Sequence, residues 1–201
     1  MFKDLLNYFD LEKNNNFLTM ITSSTLDGSF LIHHLLSCGL KANNKIYFLS
    51  ASQTWAHYKS VQIKLGNGTS FTEMVDKSKL INFDLMNLSN DFLNGDNNNL
   101  ETKMKNIFID IKSKLETSTE KALIIIDDLS VLNLIGCKEN FIFEFMSNIR
   151  AFSDRINLVI YSQMLMTNQA LLNDLIFLAN SHIVADRLVT GYSKDIQGQV
   201  S

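Results

Sequence analysis

The chain has 201 residues, of which 46% are hydrophobic and 19% are charged. This composition is too apolar for a disordered chain and too evenly interrupted by polar residues for a membrane protein, so we expect a soluble globular fold. The formal net charge of −3 and the pI near 5.8 argue against a domain whose main task is to grip nucleic acid by itself, since such domains carry a pI above about 9.

The N-terminus and the cysteines indicate the compartment. The first ten residues lack the apolar core of a signal peptide, and no apolar run approaches the roughly 18 residues that span a bilayer. Cys38 and Cys137 compose neither a disulfide framework nor a metal set. These features favour a reducing compartment, and we expect the cytoplasm, with the nucleus as a second location.

Apolar strands alternate with amphipathic helices along the chain. The pattern predicts a helix over 2–9, a strand over 17–22, a helix from 30 to about 39–44, a strand over 45–50, a helix over 54–65, a strand over 80–83, a helix over 100–115, a strand over 122–126, a helix over 141–152, a strand over 156–161, a helix over 168–178, a strand over 181–185 and turns between short strands over 188–201. This alternation predicts an α/β fold, with a mostly parallel central sheet and helices on both faces, in a single domain over 1–201.

The loop after the first strand stands where a phosphate-binding loop would lie in such a sheet. That motif reads G-x-x-x-x-G-K-[ST] and supplies backbone amides and a lysine for phosphate and a hydroxyl for Mg²⁺. Here Gly28 keeps the second glycine, and Ser23 replaces the first. Ser29 and Phe30 replace the lysine and the Ser/Thr. Asp27 places a negative charge beside the phosphate position, so the loop is a degenerate phosphate loop in which we expect no nucleotide.

The predicted strand Ala122–Ile126 ends in Asp127 and Asp128. An NTPase uses a carboxylate at this place to hold Mg²⁺. An apolar strand that ends in Asp is common, however, and a carboxylate that caps the turn at Leu129 and Ser130 is the favoured alternative. The two loops together describe an NTPase-like architecture without a phosphate grip, with a degenerate Mg²⁺ site at the end of this strand.

The remaining residues offer no catalytic apparatus. His33 and His34 are adjacent, so on a helix they point about 100° apart, one packed and one exposed, and cannot share a metal as an i, i+4 pair would. The chain has no G-x-S-x-G nucleophile motif. The sequence therefore predicts no catalytic residue, no metal and no cofactor.

Four segments resemble the sixth subunit of the Elongator complex in order and spacing. They are residues 27–36 with 40–43, residues 55–58 with 64–66, residues 126–132 and residues 190–199. The resemblance covers essentially the whole chain. It implies a RecA-like fold that lacks the phosphate-binding loop, which the loop residues indicate independently.

The resemblance also implies partners and a function. Members of this family assemble with the fourth and fifth Elongator subunits into a hetero-hexameric ring that binds tRNA. The ring supports modification of the wobble uridine (U34), while the chemistry belongs to another subunit, so the chain would be a ring component and not an enzyme. Either Arg187, Lys194 or nearby loop lysines contact the tRNA, or the partner subunits supply all of the positive charge.

Two other functions stay open at the level of the sequence. One is a divergent RecA-like ATPase that acts alone, with Asp127 or Asp128 on Mg²⁺ and a cation from Arg187 or Lys194. The other is a small-molecule binder that uses the same crevice.

The chain also departs from the family at its end, because it stops at Ser201, where the family continues with further strands. It is either naturally short or truncated there.

Overall fold

Parallel strands form the centre of the fold in this computed structural model, which describes residues 16–87 and 100–187 and the backbone of 199–200. The strands are β1 Leu18–Ser23, β2 Lys45–Ser50, β3 Leu80–Asp84, β4 Ala122–Ile126, β5 Ile156–Gln163, β6 Ser181–Asp186 and β7 Gln199–Val200. Their order in the sheet is β3-β2-β4-β5-β1-β6-β7. Strands β1 to β6 pair in parallel, and β7 pairs antiparallel to β6.

Helices cover both faces of this sheet, as the sequence predicts. They are α1 Ser29–Lys41, α2 Trp55–Lys64, α3 Gly68–Asp76, α4 Leu100–Glu116, α5 Leu129–Leu134, α6 Glu139–Phe152 and α7 Gln169–Leu178. One apolar cluster packs α4 to α7 against the first face, and a second packs α1 to α3 against the other. In the part of the chain that the structure describes, no helix is long and apolar enough to cross a membrane.

The central strand β4 shows why the sheet is parallel and covered twice. All five of its residues are at most 2% exposed. Ile124 and Ile126 contribute to the cluster of α4 to α7, whereas Leu123 and Ile125 contribute to the cluster of α1 to α3. A strand that is buried on both faces needs a continuous apolar run, which is the pattern that predicts it.

The predicted strands are confirmed with small shifts of their ends. The bounds of β2 and β4 agree with the prediction, and β5 and β6 extend further, to Gln163 and Asp186. The predicted helix over 2–9 lies outside the described residues, as does most of the predicted turn region over 188–201. The single domain over 1–201 stays a prediction.

Two helices are missing from the sequence prediction, and the structure corrects it there. Helix α3 begins at Gly68 and buries only Phe71 and Met74, so its apolar stripe is too short to stand out. Helix α5 has six residues, fewer than two turns. The sequence places only a turn at the start of α5.

Candidate functional site

The carboxyl ends of β1 to β6 meet at one edge of the sheet, where ligands bind in open α/β folds. The loop from β1 to α1 and the residues after β4 both lie at this carboxyl edge, and β5 runs between β1 and β4. The structure therefore brings the two halves of the predicted degenerate site to the same edge.

The side chain of Tyr161, from β5, packs against the loop from β1 to α1. Its hydroxyl lies 2.8 Å from Oγ of Ser23 and accepts a hydrogen bond from the amide of Gly28 at 3.2 Å. A Cβ atom on Gly28 would lie 2.9 Å from Cε2 of Tyr161. The φ of Gly28 is −85°, a value that any residue adopts. Glycine is therefore required here by the close approach of the Tyr161 ring and not by a left-handed backbone conformation. An amide that a phosphate loop would direct to phosphate thus donates to a tyrosine of the chain.

Acidic side chains hold the outer part of the same loop. Oδ1 of Asp27 accepts a hydrogen bond from the amide of Ser29 at 2.9 Å and so supports the first turn of α1. Oδ1 of Asp186 accepts from the hydroxyl of Ser24 at 2.8 Å. The backbone amide of Arg187 and then the Ser24 hydroxyl hold the pKa of Asp186 below its usual value. Both carboxylates add negative charge where a nucleotide would bring phosphate.

Asp127 follows β4 and is bound by the loop after the neighbouring strand β2. Its Oδ1 accepts hydrogen bonds from the amides of Ala51 at 2.6 Å and Ser52 at 3.2 Å. Its Oδ2 accepts from the hydroxyl of Tyr58 at 2.7 Å and from Oγ of Ser52 at 3.2 Å. The side chain is fully buried. Asp127 therefore joins the end of β4 to the loop after β2 and to helix α2.

Burial controls the ionisation of this pair. It raises the pKa of Asp127, while the hydrogen bonds from Tyr58, Ala51 and Ser52 act in the opposite direction. Burial, followed by the nearby charge of Asp127, raises the pKa of Tyr58 above its usual value. Tyr58 thus keeps its proton and remains a hydrogen-bond donor to Asp127.

Asp128 caps helix α5. Its Oδ1 accepts hydrogen bonds from the amide of Ser130 at 2.9 Å and from Oγ of Ser130 at 2.6 Å. Burial raises the pKa of Asp128 to about 6. This is the capping role that the sequence favours over Mg²⁺ binding.

The other predicted residues are placed less centrally. Ser29 is the first residue of α1, and Phe30 is 39% exposed beside it. Arg187 lies at the carboxyl edge directly after β6, and Lys194 lies outside the described residues. Neither Tyr161 nor Tyr58 is among the residues that the sequence predicts for this site. An aromatic hydroxyl at the end of a predicted strand was the available signal for Tyr161.

The histidines do not compose a metal site. His33 and His34 are both half-buried, so the prediction that one is packed and the other exposed is wrong. The ring of His33 lies 5.5 Å from that of His57, centroid to centroid. Burial and then the His57 charge lower the pKa of His33. Over residues 16–87 and 100–187, no group of three or more His, Cys, Asp or Glu side chains could hold a metal ion.

Comparisons with solved structures support the fold. The flagellar accessory protein FlaH from Methanocaldococcus jannaschii superposes with a TM-score of 0.65 at 14% sequence identity, covering 94% of this chain and 78% of that one. The KaiC-like protein PH0186 from Pyrococcus horikoshii OT3 superposes with a TM-score of 0.60 at 13% identity, covering 92% and 76%. With the observed strand order, these likenesses show a RecA-like domain.

Sequence comparisons show the family. The family model of Elongation complex protein 6 matches residues 2–201. Elongator complex protein 6 of Mus musculus is 29% identical over 209 residues, an alignment that covers 92% of this chain and 77% of the relative. The match includes the degenerate loop and the strand that ends in Asp127. The chain belongs to the Elongation complex protein 6 family.

Proposed function

We propose that this chain is a non-catalytic RecA-like subunit of the accessory subcomplex of Elongator. It forms a hetero-hexameric ring with the fourth and fifth subunits, and the ring binds tRNA and supports modification of the wobble uridine in the cytoplasm, and also in the nucleus. Membership in the Elongation complex protein 6 family and the RecA-like fold support this proposal.

The main support for a non-catalytic role is that side chains of the chain itself occupy the hydrogen-bonding positions of the degenerate nucleotide site. The Gly28 amide donates to Tyr161, and both oxygens of Asp127 accept from donors of the chain. Mg²⁺ binding by Asp127 would require it to give up the bond from Tyr58. Ser29 stands where a phosphate-binding lysine is needed. An ATPase that acts alone is therefore the weaker alternative.

Exposed apolar side chains at the carboxyl edge support assembly with partners. Leu165 and Met166, in the loop after β5, are 75% and 50% exposed, and Leu134 at the end of α5 is 60% exposed. The two segments are linked, because Oδ1 of Asn133 accepts a hydrogen bond from the amide of Asn168 at 3.0 Å. Apolar surface of this kind is typical of interaction sites.

Co-expression with the fourth and fifth subunits tests the proposal. We expect the three chains to elute together in size-exclusion chromatography, with a light-scattering mass that corresponds to two copies of each. A chain that elutes as a monomer in that mixture, apart from its partners, contradicts the proposed ring. Turnover of ATP by the purified chain that is lost in Asp127→Asn would instead favour the ATPase.

A further inference from the structure

Charge is divided unequally between the two edges of the sheet. The described loops at the carboxyl edge contain five aspartates and one basic residue, Arg187; these loops are 23–29, 50–55, 84–87, 126–129, 163–169 and 186–187. The described loops at the opposite, amino edge contain six Lys or Arg residues and four Asp or Glu residues; these loops are 16–18, 41–45, 76–80, 116–122, 152–156 and 178–181. The amino edge is thus basic in a chain whose net charge is −3.

Four of the basic residues form a row, which we call the amino-edge row. Lys79, Lys45, Lys121 and Arg155 stand at the starts of β3, β2, β4 and β5, which are consecutive in the sheet. The register places their backbones within one residue of each other along the strands, since Ile46 pairs with Leu80, Lys45 pairs with Ala122 and Ala122 pairs with Ile156. With about 4.8 Å between neighbouring strands, the row spans about 14 Å.

Two members of the row are held in place without loss of charge. Nζ of Lys45 donates to the carbonyl oxygen of Lys114 at 3.4 Å, and the guanidinium of Arg155 donates to the carbonyl oxygen of Ser118. Both acceptors lie at or after the C-terminal turn of α4, where carbonyls lack partners in the helix. Because a carbonyl carries no net charge, Lys45 and Arg155 remain cations that are already oriented.

A shallow cavity, open to solvent, lies at this edge and is lined by Asn43, Asn44, Lys79, Glu120 and Lys121. Nζ of Lys79 lies 3.0 Å from Oε1 of Glu120, a carboxylate that competes with phosphate for this lysine. The two asparagine amides add hydrogen-bond donors without adding charge.

We propose that the amino-edge row and this cavity bind the phosphate backbone of RNA, an inference that rests on the proposed function because tRNA is the ligand of the ring. Lysine, arginine and asparagine are among the side chains that contact phosphate and sugar, and neutralised phosphates supply the affinity that does not depend on sequence. Asp27 and Asp84, which are exposed, and Asp186, which is half-buried, repel a polyanion at the carboxyl edge. The RNA contact of this subunit therefore lies opposite the degenerate nucleotide loop and away from Arg187.

The test measures tRNA binding by the assembled ring as a function of salt concentration. The slope of log K against log salt falls by about 1 for each phosphate contact that is lost. In the double variant Lys79→Gln and Lys121→Gln, we expect the slope to fall by about 1 to 2. The matched control is Lys59→Gln with Lys105→Gln, which removes two exposed lysines from helices α2 and α4, outside the amino-edge row. This control should leave the slope unchanged.

A second variant acts in the opposite direction. Glu120→Gln removes the carboxylate that competes for Lys79 and should tighten tRNA binding at low salt. It takes away no cation, so it keeps the test valid if the lysine pair disturbs assembly. Equal slopes for the lysine pair, the control and the wild type, with no tightening by Glu120→Gln, overturn the inference while the proposed ring stands. A wild-type ring that binds no tRNA contradicts both.

Discussion

The hydroxyl oxygen of Tyr161 lies 3.2 Å from the amide nitrogen of Gly28, across 133 residues of sequence. Strand β5 thereby supplies the hydrogen-bond partner that phosphate supplies to the corresponding loop of an NTPase. The same hydroxyl bonds Ser23 at 2.8 Å, so one tyrosine joins both ends of the loop. The two ends of the degenerate loop, Ser23 and Gly28, are therefore buried against the core of this chain.

We expect Gly28→Ala to destabilise the chain by about 1–3 kcal/mol, as overpacking does. The new Cβ would lie 2.9 Å from Cε2 of Tyr161, whose ring is buried. Urea unfolding of the purified chain measures the change. Ser29→Ala, one residue further at the start of the same helix, serves as the control and should stay within about 0.5 kcal/mol of the wild type. Equal unfolding midpoints for the two variants would contradict the close contact.

We expect Asp127→Asn to lower the free energy of unfolding by about 2–4 kcal/mol. The amide nitrogen of asparagine would replace an oxygen that accepts hydrogen bonds, so that two buried donors would face each other. Tyr58→Phe, which removes a single donor, should cost about 1–2 kcal/mol. Asp154→Asn, on an exposed carboxylate, is the control. Wild-type stability of Asp127→Asn would show that the carboxylate is not a structural connection.

Asp128 should make stability depend on pH. Its pKa is about 6 in the folded chain against an ordinary value of 3.8, so folding favours the protonated carboxyl. Its contribution to stability is complete below about pH 4 and is lost as the pH rises through about 6, a change of about 3 kcal/mol. Unfolding free energies at pH 4 to 7 measure it against Asp128→Asn, which keeps the cap but cannot ionise.

The free energy of unfolding of Asp128→Asn should therefore increase relative to that of the wild type as the pH rises. Asp128→Ala loses the cap to Ser130 and should be less stable than Asp128→Asn by about 1 kcal/mol at every pH. A difference between wild type and Asp128→Asn that is constant from pH 4 to 7 would show that the carboxyl has an ordinary pKa.

Sequence patterns predict the sheet well and the contacts of the site poorly. The continuous apolar run of β4 and the capping tendency of Asp128 act over a few residues, so periodicity and local chemistry reveal them. Tyr161 and Tyr58 act across 133 and 69 residues respectively. No local pattern encodes which strands are neighbours, and the sheet order β4-β5-β1 is what places Tyr161 beside Gly28.

Calorimetric titration of Mg·ATP into the purified chain tests most directly whether this RecA-like chain lacks a nucleotide-binding site. We expect no saturable heat at ATP concentrations up to about 1 mM, the concentration that corresponds to a binding free energy of about −4 kcal/mol. Saturable binding that weakens in Asp127→Asn, at a pH where that variant remains folded, would contradict it.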